Sequence, residues 1–120
     1  MLNLRENLES VRNKINHHAP NPAQIKIEAV TKSQDPQVVQ GAIQLGINIL
    51  GVNYVQEGEL LREKLNDETI QWHFIGHIQS RKTKNLLDFS LIESVDRLEI
   101  AEDLNRRALA KEKNLVFWYK

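Results

Sequence analysis

The sequence contains no cysteine, which excludes a disulfide framework and thiolate chemistry and fits a reducing, cytoplasmic setting. Neither sign of charge is in excess: 16 Lys plus Arg balance 16 Asp plus Glu. No overall basic field therefore draws the chain to nucleic acid or to an anionic membrane surface. The short run Arg81, Lys82, Lys84 reads as a solvated helix face. No apolar stretch approaches the roughly 20 residues of a membrane-spanning helix. The opening MLNLRENLESVRNKINHH mixes charges through its apolar positions and offers no small-residue cleavage site, unlike a signal peptide. Glycine-rich phosphate cradles of the P-loop and dinucleotide-binding types are missing, and so is the HExxH zinc signature. His73 and His77 sit in a strand context interrupted by Gly76, so they lack the helical i, i+4 geometry of a zinc pair, and no metal ligand is expected. What remains is 120 residues, 41% hydrophobic and 27% charged, with no low-complexity segment or interior linker. That describes a single domain over residues 1–120 with one core.

The apolar residues that are present fall into alternating periods. Leu4, Leu8, Val11 and Ile15 recur at helical spacing and predict a first helix that ends at Pro20 and Pro22. IKIEAV, Ile25 to Val30, reads as a strand. Asp35 as N-cap, Pro36 at the first helical position, the stripe Val38, Ala42, Leu45 and a terminal Gly46 spell out the next helix. Further strands are expected at Ile47 to Leu50, Ile70 to Ile75, Ser90 to Val95 and Leu115 to Lys120. Between them lie a helix carrying Tyr54, Gly58, Leu61 and Leu65, a short basic helix near Ser80 to Leu87, and a last helix. Asp96 and Glu99 predict a capping box for that last helix, with Leu98, Ala101, Leu104 and Ala108 on its buried face. An N-terminal helix followed by about five strands with intervening helices makes the class α/β with a parallel sheet. The sheet is either small and doubly wound or part of a (β/α) barrel, since a complete TIM-type barrel takes about 250 residues.

Parallel α/β folds bind ligands beyond the carboxyl ends of their strands. The residues there are Thr31, Lys32 and Ser33, then Asn53, then Gly76 and His77, then Ser94 and Asp96. A lysine at such a mouth, partly desolvated after an apolar strand, is suited to condense with an aldehyde, although most lysines are simply solvated. Asn53 suits either a ligand contact or a helix cap. His73, between Trp72 and Phe74, suits a hydrogen-bonded core residue. Glu28 shares the side-chain parity of Lys32, so one face of the strand carries a carboxylate that needs a partner or a local change of facing.

Four blocks carry a resemblance: AVTKSQDP (29–36), GVNYVQE (51–57), WHFIGHIQSRKTK (72–84) and SVDRLEIAEDLNRR (94–107). In order and spacing they resemble the pyridoxal phosphate homeostasis proteins, also called the YggS or PROSC family. The resemblance implies the N-terminal portion of an alanine racemase-like (β/α)8 barrel, a partial barrel in this chain. It also implies pyridoxal 5'-phosphate held as an internal aldimine on Lys32, with Asn53 on the ring side and His73 behind the contacting residues. The implied role is vitamin B6 homeostasis without catalytic turnover. An inactive fragment of the family is one alternative. A racemase-type enzyme is another, although it needs a second acid/base residue and a further domain.

Two departures from the family pattern stand out. Val52 replaces the glutamate expected in GENYVQE, removing a carboxylate expected beside Lys32. The family is also longer, and the resemblance assigns the phosphate-binding loops and the partner of the pyridine nitrogen to its later half. The ending LVFWYK departs from the family's usual Gln-Val-Asn type, as a frameshift or premature stop after about Asn114 would produce. Five strands of an eight-stranded barrel expose two edges, so a homo-oligomer covering them is expected.

Overall fold

The computed structural model describes residues 3–119. Helix α1 (Leu4–His18) leads to β1 (Ala29–Val30), α2 (Pro36–Gln44), β2 (Ile49–Val52), α3 (Val55–Leu65) and β3 (Gln71–Phe74). A 3-10 segment (Ser80–Leu86), β4 (Leu91–Val95), α4 (Leu98–Ala110) and β5 (Phe117–Tyr119) complete the order. The strands form one sheet in the order β1-β2-β3-β4-β5, every pair parallel. A doubly wound sheet requires a point where strand order reverses. Here it never does, so the architecture is an arc of a (β/α) barrel and not a doubly wound sheet. No helix among the described residues is long and apolar enough to cross a membrane.

Local chemistry explains the elements. Asp35 Oδ1 accepts from the Gln37 N–H at 2.9 Å, Pro36 opens α2, and Gly46 adopts φ +101° just past its end. Val39 and Ala42 are the buried residues of this helix, while Val38 and Leu45 are half-buried at its flanks. One hydrophobic cluster fills the layer between helices and sheet, centred on Leu50, Val52, Trp72, Phe74, Ile92 and Leu104. Within it Phe74 and Phe89 meet edge-to-face at 5.4 Å, and the Arg62 guanidinium of α3 lies 5.4 Å above the Trp72 ring.

Two expectations need correction. The strand predicted over Ile25 to Val30 is confined to Ala29 and Val30. The register pairs Ala29 with Leu50, and β2 begins at Ile49, so the residues before Glu28 have no strand to face. The short basic helix expected near Ser80 to Leu87 is present, as the 3-10 segment Ser80–Leu86. The capping box does not form: Arg97 occupies the N-cap position of α4, and its guanidinium reaches both Asp96 (3.8 Å) and Glu99 (3.4 Å) while donating to the Ile78 carbonyl at 2.6 Å. The buried face of α4 is accordingly Ile100, Leu104 and Ala108, and Leu98 is 64% exposed. The last strand forms as β5, with Lys120 outside the described residues. Among the described residues β1 and β5 have one strand neighbour each, and Val30, Trp118 and Tyr119 are exposed along them.

The 3-10 segment is tied to α4 by a polar contact. The fully buried Thr83 hydroxyl donates to Asp103 Oδ2, which also accepts from Arg107 Nε at 3.0 Å, and Arg106 pairs with Oδ1. Chiefly the Thr83 bond, and then Arg107 and Arg106, holds the Asp103 carboxyl below its ordinary value of 3.8. Asp103→Ala leaves the buried hydroxyl without its partner and is expected to cost about 1–3 kcal/mol at neutral pH. A carboxyl depressed in the folded state stabilises above its unfolded pKa, and that stability is lost as pH falls through the folded value. The difference between Asp103→Ala and the parent in urea unfolding should thus shrink below about pH 4; a difference constant with pH would refute the ionic contribution.

Candidate functional site

The carboxyl ends of β1, β2 and β3 open on a pocket of about 270 Å³, whose lining includes Lys32, Asn53, Tyr54, Gly76, His77 and Lys82. Lys32 stands at a corner of the turn Thr31–Gln34, closed by the Gln34 N–H donating to the Thr31 carbonyl at 3.0 Å, with Ser33 at φ 59°. The turn aims the lysine away from the packed layer, so its side chain is exposed. The partial desolvation expected from its place after an apolar strand is not met in this chain.

The walls are fixed by backbone and by one carboxylate. Thr31, buried, donates its N–H to the Gly51 carbonyl at 3.1 Å. Its hydroxyl lies 3.3 Å from both that carbonyl and Glu57 Oε1. Glu57 Oε1 also accepts the Asn53 N–H at 3.4 Å. A residue in the first turn of α3 thereby clamps the mouths of β1 and β2 together, and its negative charge suits the positive end of the helix. Glu57 was not among the expected site residues. The available signal was a glutamate three positions after Tyr54, the N-cap of α3. On the other side, Gly76 lies against Asn53 so closely that a Cβ would fall 1.9 Å from the Asn53 carbonyl oxygen.

Lys32 and Asn53 therefore share one pocket. His73 is not among its lining residues. It lies on the sheet face turned away from Trp72 and Phe74, where its Nδ1 is 2.6 Å from Glu28 Oε1 and 3.6 Å from Glu93 Oε2. This contact supplies the partner that strand parity demanded for Glu28. Burial, with the hydrogen bond and charge of Glu28, pushes the Glu93 carboxyl up to about 7. Burial likewise lowers the His73 imidazole, with Glu93 pulling the other way. Val52 is fully buried, where a Cβ added at Gly58 of α3 would meet its Cγ2 at 3.3 Å, and does not line the pocket. The missing family glutamate is thus absorbed by the core, while Glu57 provides a carboxylate at the mouth.

Residues 2–120 match the family model described as alanine racemase, N-terminal domain. The Pseudomonas aeruginosa protein named pyridoxal phosphate homeostasis protein is 36% identical over 112 residues, covering 89% of this chain and 49% of that protein. The Escherichia coli protein of the same name is 36% identical over 113 residues, covering 88% and 48%. Among solved structures, PipY of Synechococcus elongatus without PLP superposes with a TM-score of 0.83 at 28% identity, over 95% of this chain and 51% of that one. The same protein with PLP bound gives 0.79 at 30% identity, over 92% and 51%. The chain spans about half the length of the curated relatives it matches.

Proposed function

The chain belongs to the alanine racemase N-terminal domain family, and within it to the pyridoxal phosphate homeostasis proteins, and on that premise we propose that it binds pyridoxal 5'-phosphate through Lys32 and serves vitamin B6 homeostasis in the cytoplasm as a carrier, not an enzyme. The observation that carries this reading is the placement of Lys32 and Asn53 in one pocket at the carboxyl ends of β1 and β2. When bound, the cofactor supplies an aldehyde that condenses reversibly with a primary amine and releases water. The residues present fit the aldehyde end of the cofactor: Lys32, Asn53, His77 and Lys82 all line this one pocket. Lys32 would take up the aldehyde and give it back, and Asn53 would hold the ring beside it. His73 acts from behind, its imidazole fixed by Glu28. Nothing in this cycle removes a substrate proton, so amino acids should show no exchange at Cα.

The test is peptide mapping after stoichiometric pyridoxal 5'-phosphate and borohydride reduction. The nine lysines compete for the label, and the expected product is modified at Lys32, with Lys32→Arg losing it. Scattered labelling, or Cα proton exchange of an added amino acid, would overturn the reading. The single-neighbour strands β1 and β5, with exposed Val30, Trp118 and Tyr119, further support a homo-oligomer. Light scattering of the same sample should give a mass above that of one chain; a monodisperse monomer refutes this.

A further inference from the structure

Behind the pocket, we propose that Glu28, His73 and Glu93 form a site for one divalent transition-metal ion of the Zn2+ class. The three residues come from the entry to β1, from β3 and from β4, and one potential ligand atom of each lies within 4.8 Å of the others. They bridge the strands because Gly51 of β2 has no side chain: a Cβ there would meet Glu28 Oε2 at 2.8 Å. The gap lets Glu28 reach across β2 to the His73 ring.

The charges in this cluster are unbalanced. The side chains of Glu28, His73 and Glu93 are only 23%, 14% and 18% exposed. No lysine or arginine among the described residues pairs with either carboxylate within 4 Å. Lys26 is near enough to act on His73 electrostatically, yet it makes no ion pair. Neither of these largely buried carboxyl groups thus has a lysine or arginine partner among the described residues, and without a metal ion the pair is held together only by keeping a proton. Glu93 Oε2 is moreover fully buried with no hydrogen-bond partner, so a lone pair is left unused beside the ring nitrogen.

The spacing suits a metal better than a hydrogen bond at that position. Glu93 Oε2 is 3.6 Å from His73 Nδ1, too long for a hydrogen bond. It is close to the roughly 3.3 Å between two ligands of a tetrahedral ion held at about 2.0–2.1 Å. Glu28 Oε1, now 2.6 Å from Nδ1, would swing outward by under about 1 Å to take the same separation. A neutral imidazole and two carboxylates balance a divalent charge, and a nitrogen and oxygen set without sulfur favours Zn2+ or Co2+ over Cu(I). A fourth position remains for water.

The experiment titrates Zn2+ into chelator-treated protein by calorimetry, with native mass spectrometry for stoichiometry and Co2+ absorption for geometry. The expected result is one Zn2+ per chain, a raised Tm and a Co2+ spectrum of four-coordinate type, with binding lost in both Glu93→Gln and Glu28→Gln. A His17→Ala/His18→Ala variant removes the exposed adjacent pair on α1 and should bind as the parent does. No binding by the parent, binding retained in both glutamine variants, or binding lost with His17 and His18 would each overturn the proposal. The Co2+ spectrum of the parent decides the matter even if a variant fails to fold.

Discussion

Replacing Gly76 with alanine is expected to dismantle the pocket. The added Cβ falls 1.9 Å from the Asn53 carbonyl oxygen and 2.7 Å from its carbon. The obstruction is backbone, so no side-chain rotation relieves it. The neighbouring Ile75 N–H donates to the Val52 carbonyl at 2.9 Å, and the ends of β2 and β3 cannot separate without breaking that bond. The expected cost is about 3 kcal/mol or more, at the upper end of overpacking effects. For a chain of this size that lowers Tm by about 10 °C or more. Selective labelling of Lys32 should fall with it, because Asn53 and Gly76 both line the pocket. Gly41→Ala is the control. It lies inside α2, where a Cβ would meet Leu4 at an ordinary 3.5 Å, and alanine there should stabilise by about 0.5–1 kcal/mol. Circular dichroism melting of both variants checks the pair, and a Gly76→Ala protein that melts with the parent would refute the close approach.

Leu104→Ala is expected to have the other large effect. Leu104 is fully buried at the middle of α4 and belongs to the cluster that joins the helices to the sheet. Deleting a buried leucine to alanine costs about 2–5 kcal/mol, the spread reflecting how far the cavity collapses. Set against a total stability of about 5–15 kcal/mol for a domain of ordinary size, this is a large fraction. Leu98→Ala, six residues earlier and 64% exposed, should stay within about 0.5 kcal/mol. Urea unfolding of the two variants measures the facing of α4 directly. Equal losses would restore the register in which Leu98 shares the buried face.

That register error shows where sequence legibility stopped. Asp96 and Glu99 have the right spacing for a capping box, but the competing interaction was Arg97, which engages both acids and the Ile78 carbonyl. A cap is a contest between nearby groups, and the rival acceptor was 19 residues away. Asp35, Pro36 and Gly46 were readable because each acts within its own turn. The pocket was half legible. Lys32 and Asn53 follow their strands directly, and strand ends are where such folds bind ligands. Glu57 was passed over because its partners, Thr31 and Asn53, sit on two different strand mouths.

By itself the sequence determined the alternation of strands and helices, the α/β class, the place of Lys32 directly after a strand and the family resemblance, all of which reside in local period and local motif. Tertiary structure alone decided that strand order never reverses, that Gly76 must lie against Asn53, and that Glu28 meets His73 across 45 residues and Glu93 beyond it. The reason is physical: a helix cap or a turn closes within a few residues, whereas a buried carboxylate finds its partner only after the sheet has set the register that brings β1, β3 and β4 to one face, with β2 between the first two.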